Sequence, residues 1–410
     1  NSMNKYFSSL WGISFLIIVL MACNEPQPEK AVEYVKGSYG YDAAFLKKHL
    51  NNTVELWNEE GARVLLTADY QGRVMTSSTG GDSGNSAGWI NYDLIASGKF
   101  RSQFNPVGGE ERFWIGPEGG QYSFYFKKGD SFHIKNWQVP PIIDTVAYQI
   151  THSDSSSVEF SQQAVVTNYS GTEFNIFINR NVRLLNETAL NSRLQTSVPG
   201  NVKRVAYETE NIIKNMGENA WKKETGLLSI WLLGMFTPSE ETVAIVPFHN
   251  RKDVKSFITD NYFGQIPANR LITKDSVLLL KCDGKHRSKL GLSPAIAKPF
   301  AGSFDFKKNI LTIIFFNIDS NGDYVNSKWE LQKQPYKGDV VNAYNDGPLE
   351  DGSQLGPFYE LESSSAAKPL QPGETQTYRQ TTCHFEGAYA ALKTIAQHIL
   401  GVDLDNAKMP

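Results

Sequence analysis

Apolar and polar positions alternate along much of this 410-residue chain with a period of two, the pattern of half-buried strands. Segments 54–57 and 62–66 alternate or run apolar, and Asn58-Glu59-Glu60-Gly61 between them has the composition of a turn. Comparable runs recur at 121–126, 158–167, 174–185, 227–233, 242–247, 277–281, 310–316 and 377–385. Many strands at short spacing, with Gly, Asn and Asp between them, predict an all-β sandwich. Two stretches change period. Ala43, Ala44, Phe45 and Leu46 beside Lys47 and Lys48 predict a short helix over 42–50. Leu392, Ile395, Ile399 and Leu400 share one face of a helix over 388–400 near the C-terminus. There is no internal repeat and no long internal linker, so one β-rich domain is the simplest organisation.

The first residues follow another pattern. Lys5 precedes an apolar run, 10–22, that stops at Cys23. The run is shorter than the ~20 residues of a membrane-spanning helix and fits the apolar core of a secretory signal. Leu20-Met21-Ala22-Cys23 resembles a bacterial lipobox, in which the cysteine receives a diacylglycerol and everything before it is removed. That resemblance implies a signal peptide over 1–22, lipidation at Cys23, a polar proline-bearing tether over 23–35 and the β domain over 36–410. An uncleaved anchor, or a plain secretory signal with an incidental cysteine, are the alternatives. The expected location is the cell envelope, with the chain lipid-anchored to a bacterial membrane, the outer one first, facing periplasm or cell surface.

Charge narrows the partners. Lys and Arg number 40 against 43 Asp and Glu, a net charge of -3, and no basic patch of the kind that neutralises phosphates is present. Nucleic acid is therefore not an expected partner. Aromatics make up 12% of the chain, with 8 Trp and 18 Tyr, which suits packing on the C–H face of a pyranose as well as an ordinary core. Cys282 and Cys383 lie in strand-like flanks and are expected as buried free thiols rather than a disulfide. Asp319-Ser320-Asn321-Gly322-Asp323 begins like a calcium loop but lacks the flanking helices, so it reads as a turn. No metal and no cofactor is implied. His-Glu-x-x-His and Cys-x-x-Cys do not occur, which leaves metallohydrolase readings without a motif.

Three polar segments carry candidate binding chemistry. In 109–121, Glu110, Glu111, Arg112, Trp114 and Glu118 lie among glycines that let a backbone approach a ligand. A sugar-contacting loop with Arg112 and Glu118 on hydroxyls and Trp114 stacking competes with a hairpin whose charges point to water. In 282–294, strand alternation places Lys285, Arg287 and Lys289 on one face, able to grip a carboxylate, a phosphate or an acidic sugar, or simply to solvate an edge. In 207–211, Tyr207, Glu208, Glu210 and Asn211 are candidates for the lining of a polar pocket.

The C-terminal stretch carries a resemblance. Phe358-Tyr359-Glu360-Leu361-Glu362, then Leu370-Gln371-Pro372-Gly373-Glu374, then Thr381-Thr382-Cys383-His384-Phe385 resemble the last strands of aldose 1-epimerases, the galactose mutarotases. Ala164-Val165-Val166-Thr167-Asn168 and the strand that follows resemble that family's Thr-Asn hairpin, and the order of segments extends from about 54 to 385. The set also resembles mutarotase-like lipoproteins of Bacteroidota. The resemblance implies a galactose mutarotase-like β-supersandwich with a few short helices, a carbohydrate ligand, and Glu362 at the place of the catalytic glutamate. The departure lies in the histidines. Arg180 stands near the place of one family histidine, and His249 is the candidate for the other.

Mutarotation takes the proton from the anomeric hydroxyl and protonates the ring oxygen, so it needs a base and an acid. Glu362 is the candidate base, and alternation puts Glu360 on the same face, where paired carboxylates raise one pKa. Such a pair also suits glycoside cleavage. His249, Tyr207 and Lys285 are candidates for the acid. Three readings follow: an epimerase-like enzyme, a carbohydrate-binding protein without turnover, and a relative of glycoside hydrolases or lyases. Fold resemblance alone does not choose among them.

Overall fold

The alternation read from the sequence is realised as three antiparallel sheets of ten, six and three strands. The computed structural model describes residues 32–409, and the chain from Tyr34 onward makes one compact unit. The signal-like segment and Cys23 lie outside the described residues.

The ten-stranded sheet is built around three long neighbours, Glu173–Leu184, Lys203–Asn215 and Thr375–Glu386. The six-stranded sheet runs in the spatial order Ile258–Thr259, Ser288–Leu292, Val341–Asn345, Tyr359–Ser364, Ser229–Phe236, Arg112–Gly116. One continuous core includes residues of both sheets, among them Phe160, Ile178, Ile314, Leu232, Leu361 and Leu290. The strand Tyr359–Ser364 shows the facing directly. Tyr359 shares a 2.8 Å hydrogen bond with Ser303, and Ser363 donates to Gln380 at 2.7 Å, both partners belonging to the ten-stranded sheet. Period-two geometry therefore turns Glu360 and Glu362 to the opposite face, away from the sandwich interior.

Helix Tyr389–Leu400 packs on the outer face of the ten-stranded sheet. Its Leu392, Ile395, Ala396 and Leu400 join Val243, Phe304, Leu311 and Ile313 in a second core. Gly401, at φ +68°, ends it in the left-handed conformation that glycine adopts without steric cost. Helix Tyr39–His49 is capped by Ser38, whose hydroxyl accepts from the Tyr41 N–H. Truncating a buried helix contact such as Leu392 to Ala would cost about 2–5 kcal/mol.

Three expectations change. Segment 121–126 is not a strand: Phe124, Tyr125 and Phe126 are buried in a loop, with the Tyr125 hydroxyl donating to the Ile115 carbonyl at 2.8 Å. The apolar run there serves packing. Within the glycine-bearing segment 109–121, Arg112–Gly116 is a fully buried edge strand of the six-stranded sheet. Gly109 before it sits at φ +103°, where a Cβ would come within 2.6 Å of the Arg73 side chain, so close packing explains that glycine. Residues 207–211 belong to the 13-residue strand Lys203–Asn215 inside the ten-stranded sheet, not to a pocket wall. Cys282 and Cys383 are buried free thiols, as expected.

Candidate functional site

On the outer face of the six-stranded sheet, loops close over the side chains that alternation turns outward. They enclose a cavity of ≈ 530 Å³ whose floor includes Arg112, Trp231, Lys289, Tyr344, Glu360 and Glu362. It continues into a cleft of ≈ 690 Å³ that shares Glu118, Arg287, Lys289 and Trp329 with it. A larger cavity of ≈ 780 Å³ lies elsewhere, along the strand Ser157–Thr167, and no carboxylate lines it. Acid–base chemistry therefore points to the smaller cavity.

Two buried ion pairs cross its floor. Arg112 Nη1 lies 2.7 Å from Glu360 Oε1, with the two side chains 4% and 6% exposed. Lys289 Nζ lies 2.9 Å from Glu362 Oε2, at 8% and 1% exposure. Trp231 Nε1 donates to the same Glu362 oxygen at 3.0 Å. Register makes both pairs diagonal. Leu233 is the partner of Arg112 on one side and of Glu362 on the other, yet Arg112 bonds Glu360. Tyr344 is likewise the partner of both Lys289 and Glu360, yet Lys289 bonds Glu362. Each cation reaches over an intervening strand and shifts by one row. Glu362 Oε1 and Glu360 Oε2 are left without a protein partner among the described residues.

The electrostatics follow from burial. Burial pushes the Glu360 carboxyl up to about 7; Arg112 pulls it down and the neighbouring Glu362 pushes it up. Burial opposes the charge of Lys289, but Glu362 and then Glu118 outweigh it and hold its pKa above the ordinary lysine value. Burial also raises Glu118, against the pull of Lys289 and of a hydrogen bond from Trp329. Cations also lie over rings: Arg112 is 4.5 Å from the centre of Trp114, and Lys289 is 4.9 Å from that of Trp231.

Of the residues expected from sequence, the fold brings Glu360, Glu362, Arg112, Trp114, Glu118 and Arg287 to this cavity. Trp114 has a different part from the one expected. Its ring is 2% exposed, its Nε1 donates to the Ile143 carbonyl at 3.1 Å, and it supports Arg112 from beneath rather than offering a face to a sugar. The others fall elsewhere. Arg180 is fully buried, bonding Glu111 at 2.9 Å, Asn211 at 2.6 Å and the Gly72 carbonyl at 2.9 Å. It is an interior brace, and Asn211 is part of it. Lys285 is exposed, 3.8 Å from Glu240. His249 is exposed beyond the strand Thr242–Pro247, and Tyr207 is buried among Glu110, Glu111 and Thr382. Among the described residues no histidine lines the cavity with the carboxylates; His133 stands on the wall of the adjoining cleft. Sequence reasoning missed Trp231, Tyr344, Phe263 and Trp329, and named Lys289 only as one of three alternating cations.

An antiparallel β-sandwich of a ten- and a six-stranded sheet, with an ionisable cavity on the outer face of the six-stranded one, is the class of protein defined by these features. The chain belongs to a family described as a family of unknown function, DUF6786, which matches residues 37–409. No curated protein matches its sequence. Its fold is similar to that of the Slr1438 protein from Synechocystis sp. PCC 6803, at 12% identity over 82% of this chain and 96% of that one, with a TM-score of 0.50. Similar structures also include a galactose mutarotase-like protein from Lactobacillus casei, at 11% identity over 81% and 100% of the two chains, TM-score 0.47. Another is a galactose mutarotase related enzyme from Lactobacillus acidophilus, at 10% identity over 81% and 97%, TM-score 0.44. At these identities the likeness is one of fold.

Proposed function

We propose that this protein binds a carbohydrate in the cavity over its six-stranded sheet and interconverts the anomers of the bound sugar. The observation that carries the reading is the pair Glu360 and Glu362, two carboxylates two residues apart on one strand face, each with one oxygen left for a ligand. Their Cα atoms are about 7 Å apart by strand geometry, so the side chains can reach different substituents of one pyranose carbon. Glu362, fixed by Lys289 and Trp231, takes the anomeric proton. Glu360, whose carboxyl titrates near neutrality, delivers a proton to the ring oxygen, the part expected of a histidine from sequence. Arg112 orients Glu360 and balances the charge left on it. Trp329 and Phe263, both partly buried on the cavity wall, offer ring faces to the sugar.

Polarimetry or NMR of anomer exchange on a sugar panel tests this. Wild type should accelerate exchange, and Glu362→Gln and Glu360→Gln should each lower the rate at least about 100-fold, within the range general acid–base catalysis supplies. Equal rates in wild type and both variants would refute the assignment. One observation favours the second reading, a binding protein without turnover: both carboxylates already hold a cation. Sugar binding without exchange would establish it.

The lipobox reading is proposed alongside. Cys23 carries a lipid that holds the domain at the cell envelope, where the ligand is a glycan rather than a metabolic hexose. Mass spectrometry of the mature N-terminus tests it, and an unmodified Cys23 in membrane-extracted protein would refute it.

A further inference from the structure

We infer that the sugar this cavity accepts is a uronic acid, or a chain ended by one, with Arg287 holding its carboxylate. The inference rests on the carbohydrate reading above and names the class of sugar.

Three cations line the inner cavity wall, and two of them are spoken for: Arg112 by Glu360 and Lys289 by Glu362. Arg287 differs. It lines both the cavity and the adjoining cleft, and no carboxylate among the described residues lies within ion-pair distance of it. Its guanidinium is nonetheless held. The central carbon lies 3.6 Å from the centre of the Phe263 ring, and Nε donates to the Tyr344 hydroxyl at 3.3 Å. Tyr344 in turn donates to Asp346 at 2.6 Å, which leaves its oxygen lone pairs for Arg287. Asp346 is further engaged by the Gly356 N–H at 3.0 Å.

A ring plate beneath and one bond at Nε fix the plane of the guanidinium and leave the edge formed by Nη1 and Nη2. That edge is a two-donor fork matched to the two oxygens of a planar carboxylate. Arg101, exposed at the rim, adds a second unpaired cation, but no contact among the described residues orients its guanidinium. The charge balance selects a monoanion. Glu118, Glu360, Glu362 and Asp351 already line the cavity, so a dianionic phosphate would set two further negative charges against one oriented cation. A carboxylate sets one against one. A neutral hexose offers the fork only single, uncharged hydroxyl oxygens, without the charge and the paired oxygens of a carboxylate.

Isothermal titration of the wild type with glucuronate and galacturonate, against glucose, galactose and glucose 6-phosphate, tests the inference. At least one uronate should bind ten or more times more tightly than its neutral hexose and than the phosphate ester. In Arg287→Gln the uronate-to-hexose affinity ratio should fall to within twofold of one. Arg287→Lys, which keeps the charge and loses the fork, should give an intermediate ratio. Hexose and uronate binding equally to the wild type would overturn the uronate inference and leave the carbohydrate reading standing, as would a preference for the phosphate ester. Binding of none of these sugars would overturn both. The wild-type comparison decides the matter even if a variant fails to fold.

Discussion

Replacing Lys289 by Met isolates the electrostatic content of the cavity floor. Methionine fills most of the lysine stem, so the change removes one ammonium and its 2.9 Å bond to Glu362 while largely keeping the packing. Glu362, 1% exposed, is then left with the Trp231 indole as its remaining side-chain donor. Breaking a buried pair by removing one partner costs about 3–5 kcal/mol, most of it the desolvated charge left behind. The stability of Lys289→Met should therefore fall by that amount at neutral pH. Replacing Glu362 by Gln in the same chain removes the stranded charge and keeps an acceptor for Trp231. The double variant should regain most of the loss, a coupling of about 2 kcal/mol or more. Urea unfolding followed by tryptophan fluorescence at pH 8 measures all three variants. A single variant within about 1 kcal/mol of wild type at pH 8, or a double variant no better than the sum of the singles, would refute the reasoning.

Glu360, held near 7 by burial, keeps a proton in the folded state over a range where the unfolded chain has lost it. Its contribution is present in full below the ordinary glutamate value and is lost as pH rises through about 7; the window is worth about 3 kcal/mol, and Glu360→Gln should flatten the stability–pH curve there. Trp231→Phe removes the indole bond to Glu362 and should weaken sugar binding about tenfold, read by titration calorimetry. Arg180→Met should destabilise the fold by about 3–5 kcal/mol, because Glu111 stays buried without its cation, yet leave sugar affinity within twofold at low temperature, since Arg180 lies away from the cavity. Cys282 and Cys383, whose thiols burial pushes up to about 12, should resist a thiol reagent in the native protein and react fully in denaturant.

What the sequence revealed of this site depended on whether its residues sat in regular alternation. Glu360 and Glu362 are legible because a strand has period two and both occupy its outward positions. Lys289 is legible for the same reason, and Arg287, one residue before the strand Ser288–Leu292, reaches the cavity with it, while Lys285 is misplaced because the turn before them breaks the alternation. Ser229–Phe236 is buried along its whole length, so nothing in its pattern distinguishes Trp231, over the cavity, from Leu232, in the sandwich core. Phe263 and Trp329 reach the site from loops distant in sequence, and no local pattern carries that information. Arg180 stands near the place of a family histidine in the resemblance, yet the fold buries it whole and satisfies it with Glu111, Asn211 and a carbonyl.

The diagonal course of the two ion pairs has a mechanical consequence. Each cation is tied obliquely across three strands, and both ties lean the same way, so sliding the strands in one sense stretches both at once, like parallel stays on a mast. The two carboxylates thus stand on a surface stiffened against shear in that sense. A sugar arriving there meets acid and base groups already in position, and little of its binding energy is spent on setting them.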